Sequence, residues 1–89
     1  MGWGNRGWIE IVEMILEVCE NGALKTHVMY KCNLNSKQIM QYLDFLQNHK
    51  LVYATRDPPT SKRPLFVTAE LGKKYINAYK QLESIFKKN

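Results

Sequence analysis

The chain has 89 residues, of which 45% are hydrophobic, and carries a formal net charge of +5 with a pI of about 9.3. This length predicts one domain with a small core, and the apolar fraction argues against disorder. No apolar run approaches the ~20 residues needed to span a bilayer. The N-terminal residues also lack the uninterrupted apolar core of a signal peptide. We therefore expect a cytoplasmic protein that is neither secreted nor membrane-bound.

The charges are separated along the chain. Residues 1–20 carry four glutamates and one arginine, a net charge of −3, whereas residues 21–67 have a net charge of +5 and residues 68–89 one of +3. A segregated basic region suits a polyanionic partner better than uniform basicity does. The alternative interpretation is a solvated surface of mixed charge.

Residues 8–20 are predicted to form an amphipathic helix. Its apolar face follows the spacing i, i+3, i+4, i+7, i+8 and i+11 and consists of Trp8, Ile11, Val12, Ile15, Leu16 and Cys19. The four glutamates, at positions 10, 13, 17 and 20, lie on the opposite side, and we expect them to be solvated. Asn21 and Gly22 end the helix, since glycine suits a left-handed cap.

A short helix is predicted next, over about residues 25–32. Val28 and Met29 are its inward residues. We expect Tyr30 in this helix and Tyr42 further along the chain to lie half-buried at the edge of the core. A phenol ring favours such a place because it combines a large apolar area with a polar tip.

A third helix, over residues 35–48, has three agreeing start signals. Asn35 can cap it, and Gln38 can complete a capping box. Leu34 before the cap and Ile39 within the first turns form a hydrophobic staple. The predicted buried stripe of this helix comprises Ile39, Tyr42, Leu43 and Leu46.

A two-stranded hairpin is predicted from residues 51–56 and 65–68, which are rich in β-branched and aromatic side chains. Between them the segment "DPPTSKRP" contains three prolines, which cannot donate ladder hydrogen bonds and favour a turn. The hairpin tip, residues 56–64, is long and basic.

The chain returns to helix over residues 68–89, with Thr68 as the expected N-cap. Spacings of 4, 3, 4 and 3 along it define the seam of a coiled coil, consisting of Leu71, Tyr75, Ala78, Leu82 and Ile85. A second apolar stripe comprises Ile76, Tyr79 and Phe86. One stripe is expected to pack on the domain and the other on a second copy of the chain. About twenty residues are too few for an isolated coiled coil.

The order helix, helix, helix, strand, strand, helix predicts a mainly α fold with a small β-hairpin, the winged helix-turn-helix. We expect one domain over residues 1–89, with a winged-helix core at 8–67 and a dimerisation helix at 68–89. A helix of ~10–12 Å diameter fills the major groove of B-DNA. The predicted contacts to double-stranded DNA are Ser36, Lys37 and Gln41 on the third helix, Arg56, Lys62 and Arg63 on the wing, and Lys25 and Lys31 on the second helix.

Each of these predicted contacts has an alternative interpretation as an ordinary solvated side chain. Asp44, on the same helix as Lys37, would repel phosphate. We therefore expect Asp44 either to lie beyond the groove or to hold a neighbouring cation.

The sequence contains no pattern typical of catalysis or metal binding. It has no Gly-rich phosphate loop, no nucleophile elbow and no carboxylate pair outside the first helix. Cys19, His27, Cys32 and His49 match no zinc-site spacing. We therefore expect a protein that is not an enzyme and has neither cofactor nor metal. Cys19 is predicted to be a buried thiol, and a bridge between Cys19 and Cys32 stays open.

The segment "GALKTHVMYKCNLNSKQIMQYLDFLQNHKLV" resembles the core of an archaeal winged-helix DNA-binding family. The matching positions are Gly22, Lys25, Thr26, Val28, Met29, Tyr30, Cys32, Asn33, Leu34, Tyr42, Leu43 and Leu51, followed downstream by Thr68, Gly72 and Lys73. The resemblance implies a DNA-binding winged helix that dimerises by antiparallel pairing of C-terminal helices. Some members of that family are abundant chromosomal proteins and others are interpreted as regulators. The wing segment "DPPTSKRP" and the shorter last helix depart from the pattern.

Three functions are consistent with the sequence. The first is a homodimeric transcriptional regulator that inserts helix 35–48 into the major groove, with wing 56–64 on the flanking backbone or minor groove. The second is an architectural, nucleoid-associated protein that coats DNA without sequence preference. The third is a protein-interaction module, since a winged helix does not by itself determine function.

Overall fold

The computed structural model describes residues 7–86. Its elements are α1 (Trp8–Val18), β1 (Ala23–Leu24), α2 (Lys25–Lys31), α3 (Ser36–Asn48), β2 (Val52–Thr55), β3 (Leu65–Thr68) and α4 (Glu70–Phe86). Four helices and a small antiparallel sheet confirm the predicted winged-helix fold. Predictions that fall on residues 1–6 and 87–89 lie outside the described residues. Within residues 7–86, no helix is long and apolar enough to cross a membrane.

The sheet has three strands rather than the predicted two. Its order is β1-β3-β2, with both neighbours antiparallel to β3. In the central strand, Phe66 pairs with Ala23 on one side and with Ala54 on the other. The predicted hairpin is confirmed as β2 paired with β3, and the sequence analysis missed β1 because its two residues are too few to show the alternation that marks a strand. The extra strand ties the start of α2 to the wing.

The core lies between α1, the two following helices and the inner face of the sheet. Val12, Ile15 and Leu16 of α1 are fully buried, as are Val28 of α2 and Ile39 of α3. Each side chain of this size contributes about 1.5–3 kcal/mol when removed from water. The buried positions on α1 follow the predicted helical spacing, so the apolar face of the first helix is confirmed. Trp8 is the exception, since 56% of it is exposed.

The capping box at the start of α3 is confirmed. The backbone N–H of Gln38 donates to the side-chain oxygen of Asn35 at 2.8 Å, and the backbone N–H of Asn35 donates to Oε1 of Gln38 at 3.0 Å. Leu34 and Ile39, the two predicted staple residues, are both buried. These contacts determine where α3 begins and therefore which of its side chains face outward.

The end of α2 is equally well defined. Asn33 has a φ of 56°, and its N–H donates to the carbonyl of Tyr30 at 3.2 Å. The N–H of Leu34 donates to the carbonyl of Met29 at 2.9 Å. This pair of bonds around a left-handed residue is the Schellman arrangement, which satisfies the last carbonyls of a helix. The turn between α2 and α3 is therefore held from both sides by hydrogen bonds.

Thr68 does not cap the last helix, so that prediction was wrong. Thr68 is the last residue of β3 and is buried, with its hydroxyl donating to the carbonyl of Leu16 at 2.6 Å. Its backbone N–H donates to the carbonyl of Cys19 at 3.0 Å. The hydroxyl of Thr68 thus forms its hydrogen bond with a carbonyl of α1 and not with the free N–H groups at the start of α4. The last helix begins two residues later, at Glu70.

Glu13 is buried where α4 packs on α1, which contradicts the prediction that all four glutamates of the first helix are solvated. Only 7% of Glu13 is exposed, whereas Glu10, Glu17 and Glu20 are exposed. Burial and a hydrogen bond to Glu17 raise the pKa of Glu13 to about 8. The same hydrogen bond lowers the pKa of Glu17, which also pairs with Lys80 of α4 at 3.5 Å. One proton is therefore shared by the two carboxyl groups over a wide pH range.

We expect the protein to lose stability between about pH 4.5 and pH 8 because of Glu13. A raised folded-state pKa stabilises the fold below the unfolded value of about 4.5, and this contribution is lost as the pH rises toward 8. The decline is at most about 1.4 kcal/mol per pH unit in that window. Glu13→Gln, which stays uncharged, should flatten the decline. The free energy of unfolding, measured with urea at pH 6 and pH 9, reports the decline. An equal decline in the wild type and in Glu13→Gln would contradict this role of Glu13.

Cys19 and Cys32 are both buried, and no disulfide joins them. Burial and the neighbouring thiol of Cys32 raise the pKa of Cys19 to about 12. A thiol with such a pKa is protonated at physiological pH and unreactive as a nucleophile. The prediction that Cys19 is a small core residue is confirmed, and the bridge that the sequence left open is not formed in this structure.

Candidate nucleic-acid interface

The outer side of α3 presents a polar stripe. It lies opposite the buried Ile39, Leu43 and Leu46 and consists of four exposed residues at spacings of 4, 3 and 4, namely Lys37, Gln41, Asp44 and Asn48. We call these four residues the outer stripe. Ser36 is exposed in the first turn beside it. The predicted outward positions of Ser36, Lys37, Gln41 and Asp44 therefore agree with the structure, which adds Asn48 to the same face.

A cleft separates α3 from the wing. It has a volume of about 300 Å³ and opens beside the outer stripe. Lys25, Lys62 and Arg63, three of the predicted DNA contacts, come to this cleft from α2 and from the loop between β2 and β3. Three cations from two separate parts of the sequence thus converge on one edge of α3. From α2 and α3 the cleft is also lined by Thr26, Met40, Asp44 and Gln47.

The start of α2 is close to α3 across this cleft. The ammonium group of Lys25 lies 3.7 Å from the sulfur of Met40. Its charge is exposed, and no acidic side chain of residues 7–86 pairs with it. Such a cation is available to a phosphate that approaches the groove-facing side of α3.

The wing loop, residues 56–64, is organised by its own side chains. The guanidinium of Arg56 donates to the carbonyl of Ser61 at 2.8 Å, and the N–H of Ser61 donates to the carbonyl of Pro58 at 2.8 Å. The N–H of Arg63 donates to the hydroxyl of Ser61 at 3.2 Å. The side chain of Arg56 therefore stabilises the wing loop from its base. Lys62 and Arg63 place their positive charges at the cleft. The sequence suggested a direct contact for Arg56 and did not reveal this bracing contact.

Two predicted positions lie elsewhere. Lys31 is exposed in the last turn of α2 and does not line the cleft. Tyr30 is 84% exposed, so the expectation that it is half-buried was wrong. Its ring projects from α2 on the side away from Val28. Tyr42, in contrast, is partly buried against the core as predicted.

A row of aromatic side chains flanks the other edge of the outer stripe. Trp8 contacts Phe45 edge-to-face at a centroid distance of 6.1 Å, and Phe45 contacts His49 at 4.4 Å. Trp8 and Phe45 also line an open cleft with Gln38, Gln41 and Tyr42. Edge-to-face pairs of this kind are worth ~0.5–1.5 kcal/mol and hold the N-terminus of α1 against α3. The partial exposure of Trp8 follows from this contact.

Neither a metal site nor a catalytic group accompanies the outer stripe. Among residues 7–86, no cluster of three or more histidine, cysteine, aspartate or glutamate side chains could hold a metal ion. The polar groups offered here are amides, a hydroxyl, cations and one carboxylate. These are hydrogen-bonding and charge-pairing groups rather than nucleophiles with an adjacent base.

The apolar residues of α4 divide between two faces. Gly72 and Ile76 are buried against the domain, and the hydroxyl of Tyr75 donates to the carbonyl of Ile9 at 2.8 Å. The predicted seam residues Leu71, Leu82 and Ile85 are 49%, 57% and 65% exposed, and Ala78 is exposed as well. Tyr75 is thus the one predicted seam residue that is engaged within its own protomer. The exposed residues Leu71, Ala78, Leu82 and Ile85 will be called the α4 seam.

Comparison with known proteins places this geometry among DNA-binding folds. The solved structure of Sso10a-2, a DNA-binding protein from Sulfolobus solfataricus, matches with a TM-score of 0.77 and 26% identity, covering 90% of this chain and 81% of that one. A transcriptional regulator of the MarR family from Rhodococcus sp. RHA1 matches with a TM-score of 0.67 and 26% identity, covering 88% of this chain and 54% of that one.

Sequence comparison agrees with the structural one. An uncharacterised protein of Methanocaldococcus jannaschii is 30% identical over 80 residues, which are 88% of this chain and 75% of that protein. The winged helix-turn-helix family model matches residues 5–87, nearly the whole chain. These matches confirm the resemblance to archaeal winged-helix proteins that the central segment indicated. The chain therefore belongs to the winged helix-turn-helix family, a family of non-enzymes, as the sequence predicted.

Proposed function

We propose that the protein is a homodimeric, double-stranded-DNA-binding transcriptional regulator whose α3 enters the major groove. The observation that carries this proposal is the convergence of Lys25, Lys62 and Arg63 on the cleft beside the outer stripe. A cationic edge next to a polar helix face matches the two needs of DNA recognition, since phosphate contacts position a protein and base contacts specify the site. The structural similarity to Sso10a-2, a DNA-binding protein, supports the same conclusion.

Each part of this surface has a different role in the proposed complex. Lys37 and Gln41 of the outer stripe face the base edges, while Ser36 and the first free N–H groups of α3 meet a phosphate at the helix N-terminus. Lys62 and Arg63 contact the flanking backbone or the adjacent minor groove from the wing. The glutamates of α1 keep that side of the molecule away from DNA, since three of them are exposed.

The α4 seam supplies the proposed dimer contact. The helix is about 25 Å long at 1.5 Å per residue, and its C-terminal half leaves Leu82 and Ile85 largely in water. Pairing of two such helices in antiparallel orientation would bury both seams. A two-fold dimer then presents two α3 helices to successive major grooves about one helical turn apart. Binding of this kind places the protein on chromosomal DNA in the nucleoid.

Removal of the two wing cations should weaken DNA binding and make it less sensitive to salt. We expect the Lys62→Gln, Arg63→Gln double variant to lower the slope of log K against log salt by about 0.9 for each cation that contacts a phosphate. The matched control is Lys73→Gln, Lys74→Gln, which removes the same charge from exposed residues at the start of α4. Fluorescence anisotropy with a labelled duplex at 50–300 mM salt measures both slopes.

The wild-type protein is the reference for this experiment. Salt-dependent binding that the wing variant loses and the α4 control retains supports the proposed interface. Failure of the wild-type protein to bind any duplex at ~50 mM salt would exclude a DNA-binding function. Equal losses of DNA affinity in the two double variants would show that net charge, rather than the position of the charges on the wing, determines affinity.

A further inference from the structure

The proposed DNA-binding face contains a carboxylate at its centre. Asp44 lies on the outer stripe between Gln41 and Asn48, one turn from each, and is exposed. It makes no ion pair with a cation of residues 7–86, which was one of the two arrangements expected from the sequence. The other expectation, a position beyond the groove, stays a prediction.

No ion pair within residues 7–86 neutralises the charge of Asp44. In the described part of the chain the ion pairs join Lys73 to Glu70 and Lys80 to Glu17, and neither involves Asp44. Lys25, Lys62 and Arg63 line the same cleft as Asp44 but make no ion pair with it. No hydrogen bond within residues 7–86 engages its carboxylate either. Both of its oxygens are available as acceptors.

A carboxylate without a partner on a DNA-facing helix restricts which groups of the DNA the helix can contact. Phosphate oxygens repel it, and so do the N7, O6 and O4 acceptors that most base edges present in the major groove. The exposed donor groups there are the amino groups of cytosine and adenine, and the adenine amino group has the N7 acceptor beside it. Cytosine is thus the base whose edge best complements Asp44.

We propose that Asp44 is a specificity-determining residue that accepts a hydrogen bond from the 4-amino group of a cytosine in each half-site. The proposal rests on the DNA-binding function proposed above. It makes DNA binding sequence-dependent, because guanine and thymine offer the carboxylate only acceptors and adenine offers its amino group beside the N7 acceptor. Lys37, Lys62 and Arg63 supply attraction to any duplex, and Asp44 discriminates among the duplexes that they attract.

Parallel selections from a random pool of duplexes test this proposal. The proteins are the wild type, Asp44→Asn and the matched control Glu20→Gln, which neutralises an exposed carboxylate just beyond α1. We expect the wild type and the control to enrich the same motif with a cytosine at one position of each half-site. Asp44→Asn should lose that cytosine, with a change in preference of roughly 5- to 150-fold. Adenine should replace it, because asparagine pairs with the N6 and N7 groups of adenine.

Affinity for a duplex that lacks the motif provides an independent readout. Asp44→Asn should bind it more tightly than Glu20→Gln does, although both variants gain the same charge. A cytosine retained in the Asp44→Asn pool would overturn the role of Asp44 and leave the DNA-binding function intact. Wild-type binding without any enriched motif would also overturn it and would favour the architectural function. A wild-type protein that binds no duplex would overturn both proposals.

Discussion

Gly72→Ala should destabilise the domain strongly. A Cβ atom at position 72 would clash with the backbone carbonyl oxygen of Leu51, and it would lie 2.6 Å from Cγ2 of Thr68 and 3.2 Å from a methyl of Leu16. The carbonyl of Leu51 cannot retreat freely because it accepts the N–H of Ala69 at 2.9 Å. Insertion of atoms into so tight a contact typically costs 1–3 kcal/mol or more.

The expected effect is opposite to that of an ordinary helix substitution. Alanine in place of glycine inside an exposed helix gains about 1 kcal/mol. Here we expect a net loss of about 3 kcal/mol, which for a domain of this size lowers the melting temperature by roughly 15 °C. Gly7→Ala is the matched control, since no atom lies within 4 Å of the Cβ that it adds. Calorimetry of both variants measures the effect, and equal melting temperatures would contradict the tight α4 contact.

Loss of the α4 seam should separate the proposed dimer and weaken DNA binding strongly. The Leu82→Gln, Ile85→Gln variant replaces two exposed apolar side chains without any change in charge. We expect light scattering to report twice the chain mass of 10.4 kDa for the wild type and the single chain mass for the variant. Because two linked half-sites bind with an avidity about 10²–10⁴-fold above one, affinity for a two-half-site duplex should fall by a comparable factor.

A control on the same helix shows whether the seam is specific. Asn77→Gln changes an exposed residue that lies off the α4 seam and should leave both mass and affinity unchanged. The variant protein should remain folded, because Leu82 and Ile85 make no part of the core. A wild-type protein that scatters as a monomer at micromolar concentration would exclude this dimer.

Local signals in the sequence were sufficient for most of the fold. The capping box of Asn35 and Gln38 depends on residues three apart, so it was predictable without knowledge of the tertiary structure. The buried faces of α1 and α3 follow the helical period for the same reason. The outward positions of Lys37 and Gln41 then follow, because a helix with a known buried stripe has a known opposite side.

Features that depend on long-range packing were not predictable. Thr68 precedes a helix and fits an N-cap pattern, yet its hydroxyl bonds to Leu16, 52 residues earlier in the chain. Glu13 fits the polar face of α1, and only the approach of α4 buries it. The short strand β1 exists because Ala23 pairs with Phe66. In each of these cases a partner distant in sequence determined the outcome.

The candidate interface likewise combines features that the local sequence predicts with features that depend on long-range packing. The cations of the wing were identified from composition, but their convergence with Lys25 on one cleft depends on how the hairpin folds back onto α3. Arg56 was assigned to DNA from its charge alone, whereas its hydrogen bond to the carbonyl of Ser61 gives it a bracing role. Asn48, the last residue of α3, was overlooked because it stands at the helix end, although it completes the outer stripe.

The most direct test of the proposed interface is a map of amide chemical shifts during titration of the isotope-labelled protein with a duplex that it binds. At 10.4 kDa per chain the protein suits this measurement. The largest changes in chemical shift are expected at residues 36–48 and 61–64, with small changes along the exposed glutamates of α1. Changes confined to α4, with α3 and the wing unaffected, would contradict the proposed interface.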